Sequence, residues 1–330
     1  MAKVAINGLG RIGRATLKIV QATEGLDLVA VNDIVPIENI AYLLRYDTVY
    51  GRYDKSVEAK EGELVVDGQS IQYLSEKDPA QLPWGELGVD LVFESTGVFT
   101  NRDDLEKHIE AGTKYVILSA PAKDEVMTVV HGVTEKEDRP PILSCASCTT
   151  NSITPVVEIM GRRVGIKKAI MTTIHAYTAS QAIVDSPHKK MRRGRAGAAN
   201  LVPTTTGAAI ATTKALPQYK GHFDGVAVRA PIPVGSISDV VFVTERETSV
   251  EEINDIFREE AQTDRYKGIL GASDDELVSS DIIGDPRAAI LDLGMTQVVD
   301  GDLVKVMSWY DNEWGYTNQM VREAKEILGA

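Results

Sequence analysis

The first part of the chain alternates short apolar runs with longer segments whose apolar residues recur every three or four positions. Lys3 to Asn7 is predicted as a strand, Arg11 to about Thr23 as an amphipathic helix, and Leu26 to Asn32 as a second strand. Further short apolar runs, "LVVDG", "DLVFEST" and "YVILSAP", are separated by polar helical segments such as "NRDDLEKHIEAG". This alternation predicts βαβ units and a buried, largely parallel sheet.

The pattern changes after Asn151. "KAIMTTIHAYTA", "GVAVRAPIPVGSISDVVFVTE" and "LVKVMSWYDN" are longer strand patterns with alternating apolar and polar positions. "SVEEINDIFREEAQ" is an amphipathic helix that begins with a serine cap. These features predict a second domain of α+β type with a mainly antiparallel sheet. The last helix has no sheet of its own, and we expect it to pack back on the first domain.

Composition narrows the class of protein. A length of 330 residues with 43% hydrophobic content is sufficient for two domains, each with its own core. Two cysteines cannot form a disulfide framework or a four-thiolate zinc site, so a reducing compartment and no bound metal are expected. The start "MAKVAINGLG" lacks a long apolar run, and the net charge of -13 opposes binding to nucleic acid and anionic membranes. We therefore expect a cytoplasmic protein that binds neither nucleic acid nor membranes.

Three glycines at the first predicted strand-to-helix junction indicate a dinucleotide site. Gly8, Gly10 and Gly13 form the pattern GxGxxG, in which they permit a tight turn, close approach of a pyrophosphate and close helix packing, respectively. The second strand leads into Asp33, twenty residues after Gly13, where a carboxylate can accept hydrogen bonds from a ribose. A carboxylate there repels the extra phosphate of NADP, so the sequence predicts a Rossmann-type domain that binds NAD.

Both cysteines lie in "SCASCTTNS", and the spacing Cys145-x-x-Cys148 leaves three interpretations open. The pair could be a redox couple, half of a metal site, or a buried cysteine beside a nucleophile. Cys148 falls where a strand gives way to a predicted helix, and N–H groups at a helix N-terminus favour a thiolate. His175 in "TTIHAYT" is an ionisable ring between apolar neighbours, and it would complete an activated nucleophile.

Five motifs in this order give the chain a resemblance to a known family. They are "ASCTTN", "TTIHAYT", "PTTTGAA", "VRAP" and "SWYDNEWGY", and they follow the opening "INGLGRIGR". The chain resembles the phosphorylating glyceraldehyde-3-phosphate dehydrogenases of bacteria and eukaryotes over its whole length. The resemblance implies a homotetramer that oxidises D-glyceraldehyde 3-phosphate to 1,3-bisphosphoglycerate with NAD and inorganic phosphate through a cysteine thioester. It also implies a dinucleotide-binding domain over residues 1–148, with the helix 316–330 packing back on it, and a catalytic domain over 149–315.

The same resemblance implies roles for particular residues. Cys148 would be the nucleophile and His175 the base, with His175 and the backbone N–H of Cys148 stabilising the oxyanion. Thr178 and Arg229 would bind the substrate phosphate, and the attacking phosphate would be surrounded by Ser147, Thr149, Thr206 and Gly207. Asn312 would bond the nicotinamide carboxamide and Tyr316 would line its pocket, while the cofactor would be bordered by Arg11, Ile12, Ser95, Thr96 and Ser119.

Three positions depart from the family pattern. Ser152 stands where many members have a second cysteine, and Cys145 precedes the nucleophile instead; Cys145 is interpreted as a small buried residue, with a regulatory disulfide to Cys148 as the alternative. Ser186 stands where NAD-specific bacterial members commonly have leucine, so NADP is expected to be tolerated beside NAD. Ser180 replaces a frequent aspartate near the substrate phosphate.

The basic segment His188–Arg195 corresponds in the family to a subunit-interface loop, although a solvated charge run remains an alternative for Lys189 and Lys190. Two rival functions also remain. An erythrose-4-phosphate dehydrogenase would share the thiol, the histidine and the Rossmann domain. A thiol redox or RNA-binding module would keep the nucleotide fold without catalysis.

Overall fold

The computed structural model describes residues 1–134 and 139–330, which form two compact units. The first unit comprises Met1–His131, residues 139–146 and Met320–Ala330. The second comprises Gly132–Thr134 and Ser147–Gln319. The boundary between residues 146 and 147 lies two residues before the division expected from the sequence. In the described ranges, no helix combines the length and apolar character that crossing a membrane requires.

The first unit contains a nine-stranded sheet, a two-stranded ribbon and four helices among its described residues. The elements are β1 (Ala2–Asn7), α1 (Arg11–Gln21), β2 (Leu26–Asn32), α2 (Ile37–Arg45), β3 (Tyr46–Asp47), β4 (Gly51–Arg52), β5 (Val57–Lys60), β6 (Glu63–Val66), β7 (Gln69–Leu74), α3 (Trp84–Leu87), β8 (Leu91–Glu94), α4 (Arg102–Glu110), β9 (Tyr115–Leu118), β10 (Met127–Thr128) and β11 (Ile142–Ser144).

The large sheet has the order β10-β11-β9-β8-β1-β2-β7-β6-β5. Every neighbouring pair from β10 to β7 is parallel, which confirms the expected Rossmann-type sheet. The central strands are buried on both faces, as in β8, whose residues Leu91–Glu94 are all buried and of which only Glu94 is polar. One expectation is wrong in detail: "LVVDG" forms β6, which pairs antiparallel with both neighbours, because tight connections of a few residues join it to β5 and β7.

The second unit contains a seven-stranded sheet with helices. Its elements are α5 (Cys148–Arg163), β12 (Ile166–Ala176), β13 (Val202–Thr205), α6 (Ala208–Ala215), β14 (Phe223–Ala230), β15 (Ser236–Thr244), α7 (Val250–Gln262), β16 (Leu270–Ser273), β17 (Ala289–Val299), β18 (Leu303–Tyr310) and α8 (Trp314–Leu328), of which α8 continues into the first unit.

The strand order in the second unit is β13-β14-β12-β15-β18-β17-β16. Only β12–β14 and β16–β17 are parallel, so the mainly antiparallel sheet expected from the alternating patterns is confirmed. The predicted cap of α7 is also confirmed, because Ser249 Oγ accepts a hydrogen bond from the backbone N–H of Glu252. The sheet places the carboxyl end of β12, with His175, beside the carboxyl end of the parallel strand β14, with Arg229.

Candidate functional site

A cavity of about 420 Å³ opens at the carboxyl ends of the parallel strands in the first unit. Ligands of open α/β sheets bind at this edge, next to the strand where the winding direction changes. The lining residues come from the carboxyl ends of four strands, β1, β2, β7 and β8, and the connections that follow them: Asn7, Gly8, Gly10, Asn32, Asp33, Ile34, Glu76, Lys77, Ser95, Thr96, Val98 and Phe99.

The three glycines of the predicted fingerprint have different surroundings. Gly8 has φ +90°, and a Cβ there would lie 2.6 Å from the backbone nitrogen of Thr96. A Cβ on Gly13 would lie 1.9 Å from the carbonyl oxygen of Gly8, so this glycine allows α1 to approach the turn. A Cβ on Gly10 would have no protein atom within 4 Å. Gly10 therefore leaves space that the protein itself does not need, as expected of a position that a pyrophosphate approaches.

We expect Gly10→Ala and Gly13→Ala to separate ligand binding from stability. Gly10→Ala should leave the free energy of unfolding within about 0.5 kcal/mol of the parent, because its methyl group meets no protein atom, yet weaken NAD binding about tenfold or more. Gly13→Ala should destabilise the fold by about 3 kcal/mol or more, because the methyl group overlaps a backbone oxygen. Denaturant unfolding and calorimetric titration with NAD measure the two effects. Equal NAD affinity in Gly10→Ala and the parent would contradict the assignment of Gly10.

Asp33 follows β2 and is held by two backbone N–H groups. Its Oδ2 accepts from Leu9 N at 2.6 Å and its Oδ1 accepts from Val35 N at 3.0 Å. These bonds orient the carboxylate at the rim of the cavity, where it can still accept from ribose hydroxyls because each oxygen has a second lone pair. Ser95 Oγ is buried and has no hydrogen-bond partner in the structure, so the cavity edge carries an unsatisfied polar atom suited to a polar ligand.

The other predicted cofactor residues are distributed between the two units. Arg11 and Ile12 form the first turn of α1, where Arg11 pairs with Asp47, and Ser119 follows β9 and donates its backbone N–H to Glu94 O at 2.9 Å. Asn312, Tyr316 and Ser186 belong to the second unit. Asn312 and Tyr316 are buried, and Ser186 is exposed, with its backbone N–H donated to Gly194 O. Their predicted roles at the cofactor stay predictions.

In the second unit, Cys148 is the first residue of the 16-residue helix α5. Ser147 caps this helix, with its Oγ accepting from Thr150 N at 3.1 Å. The preceding Ala146 has φ +56°, a conformation that strains a residue with a side chain. This turn directs the chain into the helix, and the N–H groups of Cys148 and Thr149 in its first turn lower the pKa of the Cys148 thiol.

Cys148, His175 and Arg229 form a contiguous cluster. Cys148 Sγ lies 3.3 Å from His175 Nε2, within hydrogen-bonding reach. His175 Nδ1 lies 2.7 Å from the carbonyl oxygen of Ala176, and when Nδ1 donates its proton to this oxygen the lone pair of Nε2 faces sulfur. Arg229 Nη1 donates to Ala176 O at 2.8 Å and also lies 2.6 Å from His175 Nδ1, a contact that favours the other tautomer because a guanidinium can only donate. The structure thus brings together the predicted nucleophile, base and anion-binding guanidinium.

Burial opposes charge on both members of the cysteine–histidine pair. It raises the pKa of the Cys148 thiol, although Arg229 and the N–H of Thr149 act in the other direction. Burial and the positive charge of Arg229 lower the pKa of His175 to about 3. The N–H groups at the start of α5 favour the thiolate, but desolvation outweighs them, so Cys148 needs a base as well. Transfer of the thiol proton to Nε2 would place opposite charges at contact distance, so the two groups titrate as a pair.

Cys145 has a different environment from Cys148. It lies in the first unit and is 3% exposed, with its backbone N–H donated to Leu118 O. Burial, and then the charge of Glu323, raise the pKa of its thiol well above the ordinary value. Neither described cysteine is in a disulfide in this structure. A thiol with these properties is a weak nucleophile, which favours the interpretation of Cys145 as a buried structural residue.

Tyr310 and Ser236 support the cluster, and sequence reasoning did not single them out. The hydroxyl of Tyr310 lies 2.9 Å from both Thr149 Oγ1 and Thr173 Oγ1, and its ring meets the His175 ring edge-on at a centroid distance of 6.0 Å. Ser236 Oγ accepts from Ala176 N and donates to Asn312 Oδ1 at 3.0 Å. Tyr310 was inside the quoted motif "SWYDNEWGY", but only strand pairing brings either residue to the site.

The predicted phosphate-binding residues lie at the ends of strands and at the starts of helices in the second unit. Thr178 Oγ1 lies 2.8 Å from Ser180 Oγ, so the serine that replaces the frequent aspartate contacts this threonine. Thr206 Oγ1 accepts from Ala208 N, and Gly207 precedes α6. Arg229 Nε is buried without a hydrogen-bond partner in the structure. Hydroxyls, helix N–H groups and an unsatisfied guanidinium N–H are suitable donors for an anion.

The basic segment contributes to this region rather than being wholly solvated. Lys190 Nζ donates to Thr205 Oγ1 at 2.8 Å, and Arg193 Nε donates to Thr204 Oγ1 at 3.0 Å. Lys189 and Lys190 are both exposed, so the solvated alternative stays open for them. Arg193 also lowers the pKa of His175, after the larger effects of burial and Arg229, so its charge reaches the cluster.

One group of potential metal ligands lies outside both sites. The ligand atoms of His131, Glu323 and Glu326 lie within 4.8 Å of one another. Arg139 Nε already donates to Glu323 Oε1 at 2.7 Å, and a fixed positive charge at this distance opposes a cation. The expectation that the protein binds no metal stays a prediction.

The first unit has the features of a dinucleotide-binding domain, and the second has a thiol–imidazole pair beside donors for anions. This is the organisation of a dinucleotide-dependent oxidoreductase. Comparison with known proteins agrees with this class. Residues 2–102 match the family described as "Glyceraldehyde 3-phosphate dehydrogenase, NAD binding domain", and residues 147–312 match its "C-terminal domain". The chain belongs to the glyceraldehyde-3-phosphate dehydrogenase family and is an NAD-dependent oxidoreductase.

Individual relatives match over nearly the whole chain. A glyceraldehyde-3-phosphate dehydrogenase from Thermotoga maritima is 50% identical over 332 residues, which cover 99% of each chain. The enzyme of that name from Streptomyces coelicolor is 49% identical over 323 residues, covering 97% of this chain and 96% of the relative. The one from Geobacillus stearothermophilus is 46% identical over 328 residues, covering 98% of each chain. The resemblance inferred from the motifs is confirmed.

Proposed function

We propose that this protein oxidises D-glyceraldehyde 3-phosphate to 1,3-bisphosphoglycerate with NAD and inorganic phosphate, through a thioester on Cys148, in glycolysis or its reversal. The observation that carries the proposal is the 3.3 Å contact between Cys148 Sγ and His175 Nε2 at the N-terminus of α5. Family membership and the NAD-binding domain support the choice of substrate and cofactor.

The geometry of the second unit supports a sequence of covalent steps on sulfur. His175 Nε2 takes the thiol proton as sulfur attacks the aldehyde carbonyl, and the backbone N–H of Cys148 stabilises the oxyanion that develops. The imidazolium returns the proton to this oxygen, which gives the hydroxyl of the thiohemiacetal. His175, neutral again, removes the hydroxyl proton as the carbon is oxidised to the thioester; NAD, when bound, would supply the hydride acceptor. An inorganic phosphate oxygen attacks the thioester carbonyl, and the C–S bond breaks to release the acyl phosphate and the Cys148 thiolate.

Two anions need separate donors in this reaction. We assign the substrate phosphate to Thr178 and Arg229, and the attacking phosphate to Ser147, Thr149, Thr206 and Gly207. The unpartnered Nε of Arg229 and the hydroxyls near the start of α5 and α6 support this assignment. A bound phosphate could also draw Arg229 away from His175 Nδ1. The positive charge of Arg229 would then lower the pKa of His175 less.

The cofactor fits the first unit through its glycine turn, the oriented Asp33 carboxylate and the unsatisfied Ser95 hydroxyl. The negative charge of Asp33 opposes an additional 2′-phosphate, and it supports the preference for NAD. Ser186 is exposed, and we propose that its small side chain permits NADP as a weaker alternative.

The proposal is tested by initial rates of nicotinamide reduction. These are measured with and without inorganic phosphate, in parallel for NAD and NADP. We expect turnover with glyceraldehyde 3-phosphate to require phosphate and to be faster with NAD. Turnover that is independent of phosphate and faster with erythrose 4-phosphate would favour the rival dehydrogenase, whose thioester is hydrolysed by water. No turnover in folded, reduced protein would favour a non-catalytic redox or RNA-binding module.

We further propose a homotetramer in the cytoplasm. Large apolar side chains near the basic segment are strongly exposed in the single chain, with Ile183 at 87% and Met191 at 88%. Patches of this kind, combined with basic residues, are typical of surfaces that associate. Light scattering tests the assembly, and a mass other than four chains would contradict it.

A further inference from the structure

A chain of buried polar side chains runs beneath the dinucleotide cavity and has no role in the chemistry proposed above. Glu94, at the end of β8, is fully buried, as are His108 on α4 and Trp84. Buried ionisable groups are costly unless they are well paired, so their position requires an explanation. This inference rests on the NAD site of the proposed function but not on the reaction at Cys148.

The Glu94 carboxylate accepts hydrogen bonds at both oxygens. Oε2 accepts from Asn7 Nδ2 at 2.6 Å and from His108 Nε2 at 3.2 Å. Oε1 accepts from the backbone N–H of Thr96 at 2.8 Å and from the Thr96 hydroxyl. Four donors around one carboxylate compensate its desolvation and fix its orientation.

Trp84 determines which nitrogen of His108 carries the proton. The indole Nε1–H of Trp84 can only donate, and it lies 3.0 Å from His108 Nδ1. His108 Nδ1 must therefore be the acceptor, so the proton is on Nε2 and is donated to Glu94. The three side chains form a directed line of hydrogen bonds, from Trp84 to His108 to Glu94.

At its other end, the line reaches the atoms that shape the glycine turn. Thr96 N, which donates to Glu94, is the atom nearest to the Cβ position of Gly8, at 2.6 Å. Asn7, which also donates to Glu94, immediately precedes Gly8 and accepts from Asn32 Nδ2 at 2.7 Å. The backbone N–H of Gly8 in turn donates to Asn32 O at 2.8 Å.

We propose that Glu94 is a positioning residue for the dinucleotide. Through Asn7 on one side and Thr96 on the other, its carboxylate holds the glycine turn and the Ser95–Thr96 segment in the arrangement that receives the cofactor pyrophosphate, and His108 orients the carboxylate. Asn7, Gly8, Ser95 and Thr96 all line the cavity, whereas Glu94 and His108 act from behind it.

The first test is Glu94→Gln. Glutamine keeps the shape but has one acceptor oxygen, so its amide NH2 must face either the Thr96 donors or the Asn7 and His108 donors. We expect NAD affinity, measured by calorimetry, to fall about tenfold or more, and the KM for NAD to rise in parallel. At saturating NAD, kcat should remain within about threefold of the parent, because the reacting atoms are elsewhere.

Glu106→Gln is the matched control. Glu106 lies on the same helix as His108, but its side chain is 45% exposed and pairs with Arg102 at the surface. The same chemical change there should leave NAD affinity within about twofold of the parent.

A second pair of variants separates positioning from packing. His108→Leu removes both hydrogen bonds, whereas the amide of His108→Gln can accept from Trp84 and donate to Glu94. We expect weak NAD binding in the leucine variant and recovery to within about threefold of the parent in the glutamine variant. If Glu94→Gln does not fold, this pair alone decides the matter.

Two results would overturn the proposal. One is a lowered Tm in Glu94→Gln with unchanged NAD affinity, which would make the network a feature of the core only. The other is equal NAD affinity in His108→Leu and His108→Gln. Calorimetry does not require turnover, so failure of the dehydrogenase assay would refute the proposed reaction without deciding the role of Glu94.

Discussion

Replacement of Cys148 by serine is expected to lower phosphate-dependent NAD reduction by about 10³-fold or more. A serine hydroxyl at the same position has a far higher pKa than a thiol, and a buried His175 whose pKa is lowered to about 3 is a weak base for such a group. NAD affinity should be retained, since the cavity that we assign to the dinucleotide lies in the other unit. Initial rates and calorimetry on the same preparation measure both quantities.

Cys145→Ala is the matched control for this variant, because it removes the second thiol of the same short segment. Cys145 is buried and its pKa is raised, so its loss should leave kcat within about threefold, with a modest decrease in stability from the lost sulfur. Iodoacetamide should label Cys148 in the control and no residue at a comparable rate in Cys148→Ser. An active Cys148→Ser variant would contradict the thioester mechanism.

The same control also tests the alternative of a regulatory disulfide. A bond between the two sulfurs would be supported if dithiol restored the activity of the peroxide-treated parent but not that of peroxide-treated Cys145→Ala. We expect the two proteins to behave alike, since Cys145 is a weak nucleophile.

His175→Asn is expected to decrease kcat by about 10² to 10⁴-fold and to move the alkylation of Cys148 to higher pH. In the parent, proton transfer between sulfur and Nε2 lets the pair form opposite charges that attract each other at contact distance. Without the imidazole, burial is the largest influence on the thiol, and it raises the pKa despite the opposing effects of Arg229 and the Thr149 N–H. At a given pH below the new midpoint, the variant therefore contains less thiolate and reacts more slowly.

The rate of iodoacetamide inactivation between pH 5 and about 10 measures this shift. His222→Asn is the matched control, because His222 is exposed and its ring nitrogen Nδ1 bonds the backbone carbonyl of Lys167. Its alkylation profile should coincide with that of the parent. The same midpoint in His175→Asn and the parent would mean that His175 does not assist the thiol.

The periodicity of the sequence was sufficient to predict most of the fold. Short apolar runs alternating with amphipathic helices are compatible with few arrangements other than a parallel sheet, because both faces of such strands must be covered. The direction of β6 was not predictable in this way, since a buried strand has the same apolar pattern in either direction. Strand direction depends on the lengths of the connections and on the neighbours that the fold selects.

Residue types with restricted uses allowed much of the site to be predicted. Glycines in a fixed spacing, a carboxylate after the second strand, and a cysteine before a helix each have few physical reasons to occur where they do. Tyr310 and Ser236 escaped notice because a tyrosine and a serine in alternating strands are ordinary residues. Glu94 and His108 escaped notice because nothing local in the sequence indicates that both side chains are completely buried.

The sequence by itself therefore determined the class of each domain and the family, and it predicted the principal reactive groups, because these depend on local patterns and on the chemistry of single side chains. Only the tertiary structure decided how those groups are tuned. The pKa of Cys148 and that of His175 depend on burial and on Arg229, which is 54 residues from His175 in the chain. Desolvation and charge–charge interactions act through space, so residues distant in sequence decide which groups carry charge and which atoms hold the cofactor turn.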